Sequence, residues 1–278
     1  MLNFKVNEGL CIRCGKCITD CPTMCISMLE GDFPVILDEN NCMRCQHCLA
    51  VCPTGAISIM GVDPADSIEL QYELPTAHSM ETLIKGRRSI RKYKNNALDK
   101  KIITKLLETA SHAPTGVNAQ GVLFTVTTTT EATEELRKEI YENVSRLLKT
   151  ADYDKDDLRF QYMNMAHSAY TNHDVDVILR GAPHILIASA PKAIPLPKED
   201  CVIALSTFEL FAQTMGIGTL WDGMLQWCME DFFPELAVKL GVPEDHKIGY
   251  CMIFGHPAVQ YARTVQRKPG SLNLVDSF

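Results

Sequence analysis

Apolar residues recur at helical spacing in several stretches after residue 79. Ile102, Ile103, Leu106, Leu107 and Ala110 fall three or four apart behind Asp99, a residue type that caps helix N-termini. Leu136, Ile140, Val144, Leu147 and Leu148 repeat the pattern over residues 131–149. A short helix is predicted over Met80–Lys85. Residues 200–215 predict an apolar helix stopped by Gly216, and Leu236–Leu240 a shorter one stopped by Gly241. Strand patterns lie between them. Val122–Thr128 is β-branched and aromatic, and His184–Ala190 and Lys247–Phe254 also read as strands, the former buried. The pattern is that of an α+β or α/β protein, with a central sheet covered by helices, and α+β is the class expected.

The N-terminal stretch, 1–61, breaks this pattern. Only a short strand, Val35–Leu37, stands out between the turns Gly31-Asp32 and Asp38–Asn41. In place of apolar periodicity there are two copies of one cysteine spacing, Cys11-x2-Cys14-x2-Cys17-x3-Cys21-Pro22 and Cys42-x2-Cys45-x2-Cys48-x3-Cys52-Pro53, so that Cys42 answers Cys11 and Cys52 answers Cys21. This is the bacterial ferredoxin run, which holds two [4Fe–4S] clusters, the fourth cysteine of each run ligating the other cluster. One cluster takes Cys11, Cys14, Cys17 and Cys52; the other takes Cys42, Cys45, Cys48 and Cys21. The crossing ties the halves together where so short a segment can barely build a core. A zinc site would instead pair two C-x2-C knuckles across a long spacer. Cys21-Pro-Thr-Met-Cys-Ile-Ser parallels Cys52-Pro-Thr-Gly-Ala-Ile-Ser, so Cys25 stands where Ala56 stands and reads as a small buried side chain.

Composition narrows the alternatives. At 278 residues the chain is long enough for a small domain and a large one. A net charge of −7 argues against general nucleic-acid binding. No signal-peptide pattern opens the chain, and stretches such as Ile185–Ala190 are too short to span a bilayer, so a cytoplasmic location without membrane attachment is expected. There, twelve cysteines point to metal binding rather than disulfides. Residues 62–78 contain two prolines and no helical period. They read as a linker between a two-cluster domain, 1–61, and a larger domain, 79–278.

Residues 85–105 carry nine Lys or Arg and one acid, Asp99. Guanidinium forks beside a hydroxyl in Arg87-Arg88-Ser89-Ile90-Arg91 suit a phosphate dianion; a solvated charged face has the same composition. Ala113-Pro114-Thr115-Gly116-Val117-Asn118-Ala119-Gln120 offers donors and acceptors for a heterocycle edge, or simply a helix-to-strand turn. In this order and spacing, the two segments resemble the nitroreductase family of FMN enzymes. Gly181-Ala182-Pro183-His184, Met215-Gly216-Ile217-Gly218-Thr219-Leu220-Trp221 and Arg267-Lys268-Pro269 extend the likeness over about residues 79–270. With the cysteine domain in front, the chain resembles ferredoxin–nitroreductase fusion proteins. It departs from the family in having Thr115-Gly116 in place of two serines, and Gly121-Val122 in place of Pro-Trp.

The resemblance implies roles. Arg87, Arg88, Ser89 and Arg91 would hold the FMN phosphate, closed by Arg267 or Lys268. Pro114, Thr115, Gly116 and Asn118 would line the ring and ribityl chain. Gly216, Gly218, Thr219 and Leu220 would present backbone N–H groups near the reactive edge as a glycine loop. It also implies a homodimer. No side chain is assigned as catalytic. Residues 150–178, with Tyr153, Phe160, Met163, His167 and Tyr170, read either as a lid over the flavin or as a surface helix. Cys201, Cys228 and Cys251 read as core residues, as do Trp221 and Trp227, although Trp221 is also placed to abut the flavin. No dinucleotide fingerprint is present, so no dedicated nicotinamide domain is predicted. The function expected is an oxidoreductase in which clusters pass electrons to FMN, which reduces a small electron-poor acceptor such as a nitro compound, quinone or activated alkene. The donor is reduced ferredoxin or NAD(P)H. The alternatives are a relay between a nicotinamide-linked donor and a ferredoxin-type partner, and reductive dehalogenation or flavin fragmentation on the same fold.

Overall fold

The computed structural model describes residues 2–71, 73–150, 156–268 and 270–277. Tyr153 and Pro269 lie outside the described residues. The chain forms two compact units, Met1–Thr76 and Ala77–Phe278.

The N-terminal unit repeats its backbone as well as its cysteines. Strand β1 (Lys5–Val6), helix α1 (Lys16–Thr19) and strand β2 (Ile26–Ser27) are followed by β3 (Val35–Ile36), α2 (His47–Ala50) and β4 (Ile57–Ser58). Each small antiparallel sheet takes one strand from each half: β1 pairs with β4, and β2 with β3. Left-handed backbone recurs at matching positions, at Arg13 and Arg44, at Gly15 and Gln46, and at Met24 and Gly55. At Gly15 the φ of 72° opens α1 and turns the cysteine loop into the helix, a conformation glycine adopts without steric cost. The buried cluster is small: Leu2, Cys17, Cys25, Ile26, Cys48, Leu49, Ile57 and Ile59.

The second unit contains α3 (Ala77–Gly86), α4 (Lys100–Ala110), β5 (Leu123–Val126), α5 (Thr130–Leu147), α6 (Leu158–His173), β6 (His184–Pro191), α7 (Pro197–Thr214), β7 (Gly218–Trp221), α8 (Gly223–Trp227), α9 (Pro234–Lys239) and β8 (His246–Gly255). Among the described residues its sheet has four strands in the order β5-β6-β8-β7, every pair antiparallel. This is the α+β class read from the sequence. Strand alternation divides the core between the two faces. Ile185, Ile187, Cys251 and Ile253 pack with residues of α5, α6, α8 and α9. Leu186, Ala188, Met252 and Phe254 pack with residues of α4 and α7. Phe208 meets Phe254 edge-on at 5.3 Å; burying a side chain of this size stabilises the fold by about 1.5–3 kcal/mol. Cys201, Cys228 and Cys251 are fully buried. Asp99 caps α4 by accepting from Lys101 N at 2.7 Å.

Two segments differ from the sequence reading. Residues 218–221, read as part of a glycine loop, form the edge strand β7, with Gly218 opposite Gly255 and Trp221 opposite Met252. A segment this short, opening on glycine, carries too little periodicity to show a strand; pairing with β8 supplies it. Within 150–178, α6 turns Phe160, Met163 and Ala166 into the core, and Tyr170 stacks on Tyr141 at 3.8 Å. Among the described residues no helix is long and apolar enough to cross a membrane.

Buried polar groups fix the frame. Arg137 on α5 pairs with Asp176 at 2.8 Å, and Asp176 also accepts from Tyr141 Oη at 3.0 Å and Leu179 N at 2.9 Å. His184, fully buried at the start of β6, donates from Nδ1 to Thr127 O and accepts at Nε2 from Leu98 N, each at 2.8 Å. These partners select one neutral tautomer. Burial lowers the His184 pKa. The unfolded imidazole takes a proton near pH 6.5, so protons favour the unfolded state below that pH. Urea midpoints of the wild type are expected to fall as pH drops from about 6.5 towards the depressed folded pKa. His184→Gln, less stable at pH 7, is expected to show a flatter pH slope; an equal slope in both proteins would contradict this.

Candidate functional site

The cysteine loops build two cavities. Cys11, Cys14, Cys17 and Cys52 line one. Cys21, Cys25, Cys42, Cys45 and Cys48 line the other. In each, the three thiols of one C-x2-C-x2-C loop meet the last thiol of the other cysteine run, and the second also holds Cys25. All twelve cysteines are free of disulfides. Among the described residues no three His, Cys, Asp or Glu side chains close on a single metal ion. Thiols spread around a cavity fit a polynuclear cluster, whose irons need ligands on separate corners.

The protein prepares these thiols unequally. Burial opposes ionisation of Cys52, but backbone N–H groups of Thr54 and Ala56 outweigh it and lower the pKa; the Ala56 N–H lies 3.2 Å from Cys52 Sγ. Burial pushes the Cys48 thiol up to about 12. Such a thiol becomes a ligand only with positive charge beside it, which bound iron provides.

In the second unit the structure brings residues 87–90 against β7. Ile90 N donates to Thr219 O at 2.9 Å, and Ser89 bridges Thr219. A Cβ on Gly218 would stand 2.5 Å from Ile90 Cγ1, so only glycine permits this approach. One buried carboxylate ties the assembly together. Glu209, on α7, accepts from Arg87 Nη1 at 3.1 Å, Thr219 Oγ1 at 3.2 Å and Trp221 Nε1 at 3.0 Å. Trp221 also meets Tyr250 edge-on. Arg88, Lys94, Gly216, Gly218, His256 and Arg263 are among the residues lining an open groove of about 1830 Å³. Arg91, Arg267 and Lys268 are exposed.

The segment 114–118 is anchored elsewhere. Gly116 N donates to Asp200 Oδ1 at 2.9 Å, and Gln120 N donates to Thr115 Oγ1 at 3.0 Å. Val117, Asn118 and Gln120 have φ near +50°, a costly backbone for residues other than glycine that persists only where surrounding contacts hold it. Asp200 precedes Glu209 by nine residues, about 14 Å along α7 at 1.5 Å per residue. One end of α7 thus holds Pro114, Thr115, Gly116 and Asn118; the other holds Arg87, Ser89, Gly218 and Thr219. Sequence reasoning missed both acids. Glu209 had a signal: it falls four residues after Leu205 and three before Ala212, on the apolar stripe of its helix, where an acid needs a partner.

The cysteines of both N-terminal cavities lie within the match to the 4Fe-4S dicluster domain, residues 10–56. The nitroreductase family profile matches residues 84–256. A Methanothermobacter thermautotrophicus protein, provisionally named NADH dehydrogenase/NAD(P)H nitroreductase, is 24% identical over 198 residues, covering 69% of this chain and 81% of that protein. The crystal structure of a Bacteroides fragilis nitroreductase with bound FMN is 25% identical with a TM-score of 0.57, covering 71% of this chain and 98% of that one. A Desulfitobacterium hafniense nitroreductase structure aligns with a TM-score of 0.54 at 21% identity, over 71% of this chain and all of the other. The second unit thus has the nitroreductase fold, and the chain belongs to the nitroreductase family, with a 4Fe-4S dicluster domain N-terminal to the family domain in its sequence.

Proposed function

We propose that the protein is an iron–sulfur and FMN-dependent reductase that gathers single electrons in its N-terminal unit and delivers them to a small electron-poor organic acceptor. The observation that carries this reading is the pairing, in one chain, of two cavities that each gather the four thiols of a crossed cysteine set with a nitroreductase-family unit that presents a broad groove beside Arg88, Gly216 and Gly218. FMN, when bound, supplies both one- and two-electron chemistry, which matches one-electron cubanes to two-electron acceptors. The bound FMN of the B. fragilis relative supports the assignment of the cofactor.

The chain's own residues bind and orient. Arg88 and Ser89 offer a charge and a hydroxyl to a phosphate, with Arg87 held in place by Glu209. Arg91, Arg267 and Lys268 are exposed cations available to close over it. Gly216 leaves its stretch of the groove wall free of a side chain, where a flat ring needs close backbone approach, and Gly218 lets Ile90 close against β7. Pro114, Thr115, Gly116 and Asn118, at the far end of α7, support a site completed by a second copy of the chain. Met80 and Ile84 on α3 and Ile203 on α7 are exposed apolar residues available to a homodimer interface. Packing of Phe160 and Met163 into the core favours an open acceptor site over a relay closed by aromatics. Nitro compounds, quinones and activated alkenes are the acceptor classes. NAD(P)H, supported by the name of the M. thermautotrophicus relative, and reduced ferredoxin are the candidate donors.

The test is anaerobic. Purified protein is expected to carry about eight irons and one FMN per chain, and its dithionite-reduced flavin to reoxidise on adding a nitroaromatic, quinone or enone. Cofactor-loaded protein whose flavin stays reduced with all three would end the reductase reading. Arg88→Ala is expected to weaken FMN binding about 10- to 100-fold, the worth of one charge-assisted hydrogen bond. Flavin fluorescence quenching on titration into the apoprotein measures it.

A further inference from the structure

The two halves of the N-terminal unit place different side chains at one buried position beside a ligand sulfur. Cys25 and Ala56 are equivalent in the repeat and are 3% and 2% exposed. Around the matching ligands Cys21 and Cys52 other contacts agree: Thr23 Oγ1 lies 3.8 Å from Cys21 Sγ, and Thr54 Oγ1 lies 3.7 Å from Cys52 Sγ. The side chains that follow do not agree. Cys25 Sγ lies 3.6 Å from Cys21 Sγ and lines the same cavity, whereas Ala56 brings only a methyl group and its backbone N–H to Cys52.

We propose that Cys25 is a positioning residue that tunes one cubane: its protonated thiol donates to the Cys21 sulfur and raises the reduction potential of the cluster held by Cys21, Cys42, Cys45 and Cys48. The inference rests on the two-cluster reading above. A hydrogen bond to a ligand sulfur draws charge away from the iron and favours the state with one more electron. Cys25 is a donor rather than a fifth ligand, because that cavity already has one cysteine for each of four irons. It stays protonated because a second buried thiolate against Cys21 would add charge with no iron to compensate it.

The experiment is a dithionite potentiometric titration of full-length, cluster-loaded protein, followed by electron paramagnetic resonance, with iron and sulfide counted per chain. Cys25→Ala copies the side chain of the other half. It is expected to move one midpoint to more negative potential, lowering that cluster's reduced-to-oxidised ratio about three- to tenfold at fixed potential, the range of one net hydrogen bond. The other midpoint stays. Cys25→Ser, which keeps a donor, restores most of the shift. Ala56→Cys moves the other midpoint to more positive potential. About eight irons in every variant with unmoved midpoints would overturn the tuning role and leave the two-cluster reading intact. A drop to about four irons in Cys25→Ala would make Cys25 a ligand and also overturn it. Wild-type protein that binds no iron would end the two-cluster reading itself.

Discussion

Cys52→Ala is expected to remove the cluster built on Cys11, Cys14 and Cys17, although Cys52 belongs to the other cysteine run. Iron should fall from about eight to about four per chain. The reason is the cavity that Cys52 shares with those three residues. A double-variant series makes the pairing explicit. Adding Cys14→Ala to Cys52→Ala should cost little further iron, because both act on one cluster. Adding Cys45→Ala should empty the second site as well. Pairing within each run would reverse these two outcomes, so iron and sulfide analysis decides between them. The clusters also hold the unit together. Among the described residues its packed cluster has eight buried members, three of them cysteines, and a core of this size rarely stabilises a domain by more than about 3–5 kcal/mol. The Cys14, Cys45 and Cys52 triple variant is therefore expected to lose cooperative unfolding of the N-terminal unit.

Glu209→Ala is expected to cost about 3 kcal/mol of stability in the second unit, the lower end of what breaking a buried pair by removing one partner costs. Truncation strands Arg87, whose side chain is 23% exposed, and leaves the Thr219 hydroxyl and Trp221 indole without their acceptor. The partial exposure of Arg87 is what keeps the loss at that lower end. Glu209→Gln keeps an acceptor oxygen and removes the charge, so it should lose less. Urea denaturation of the three proteins ranks them. An Ala variant as stable as wild type would show that Arg87 and β7 are held by other contacts. If the unit binds FMN as proposed, the Ala variant should also release it more readily, since Arg87 is tied to β7 through this carboxylate.

Much of the frame was visible in the sequence. Asp99 followed by five apolar residues at helical spacing marked α4, and largely apolar stretches marked β6 and β8, because local capping and composition suffice for long elements. Strand β7 escaped notice because so short a segment cannot show a period. The site was partly legible. Arg88, Gly216 and Gly218 line one groove, whereas Pro114 to Asn118 sit at the other end of α7, and the spacing of motifs along the chain says nothing about that separation. Glu209 lies 122 residues from the arginine it holds.

What the sequence determined alone is the chemistry that covalent spacing enforces: three thiols on one short loop, a fourth just beyond it before a proline, and the whole device present twice. Chain connectivity brings those sulfurs near one another before anything else folds. Only the tertiary structure decided which partners meet across long stretches of chain beyond the cysteines, such as Gly116 with Asp200, Leu98 with His184, and Arg87 with Glu209. Those meetings follow from packing of α7 and its neighbours on the sheet, and packing depends on the whole set of buried contacts rather than on any one segment.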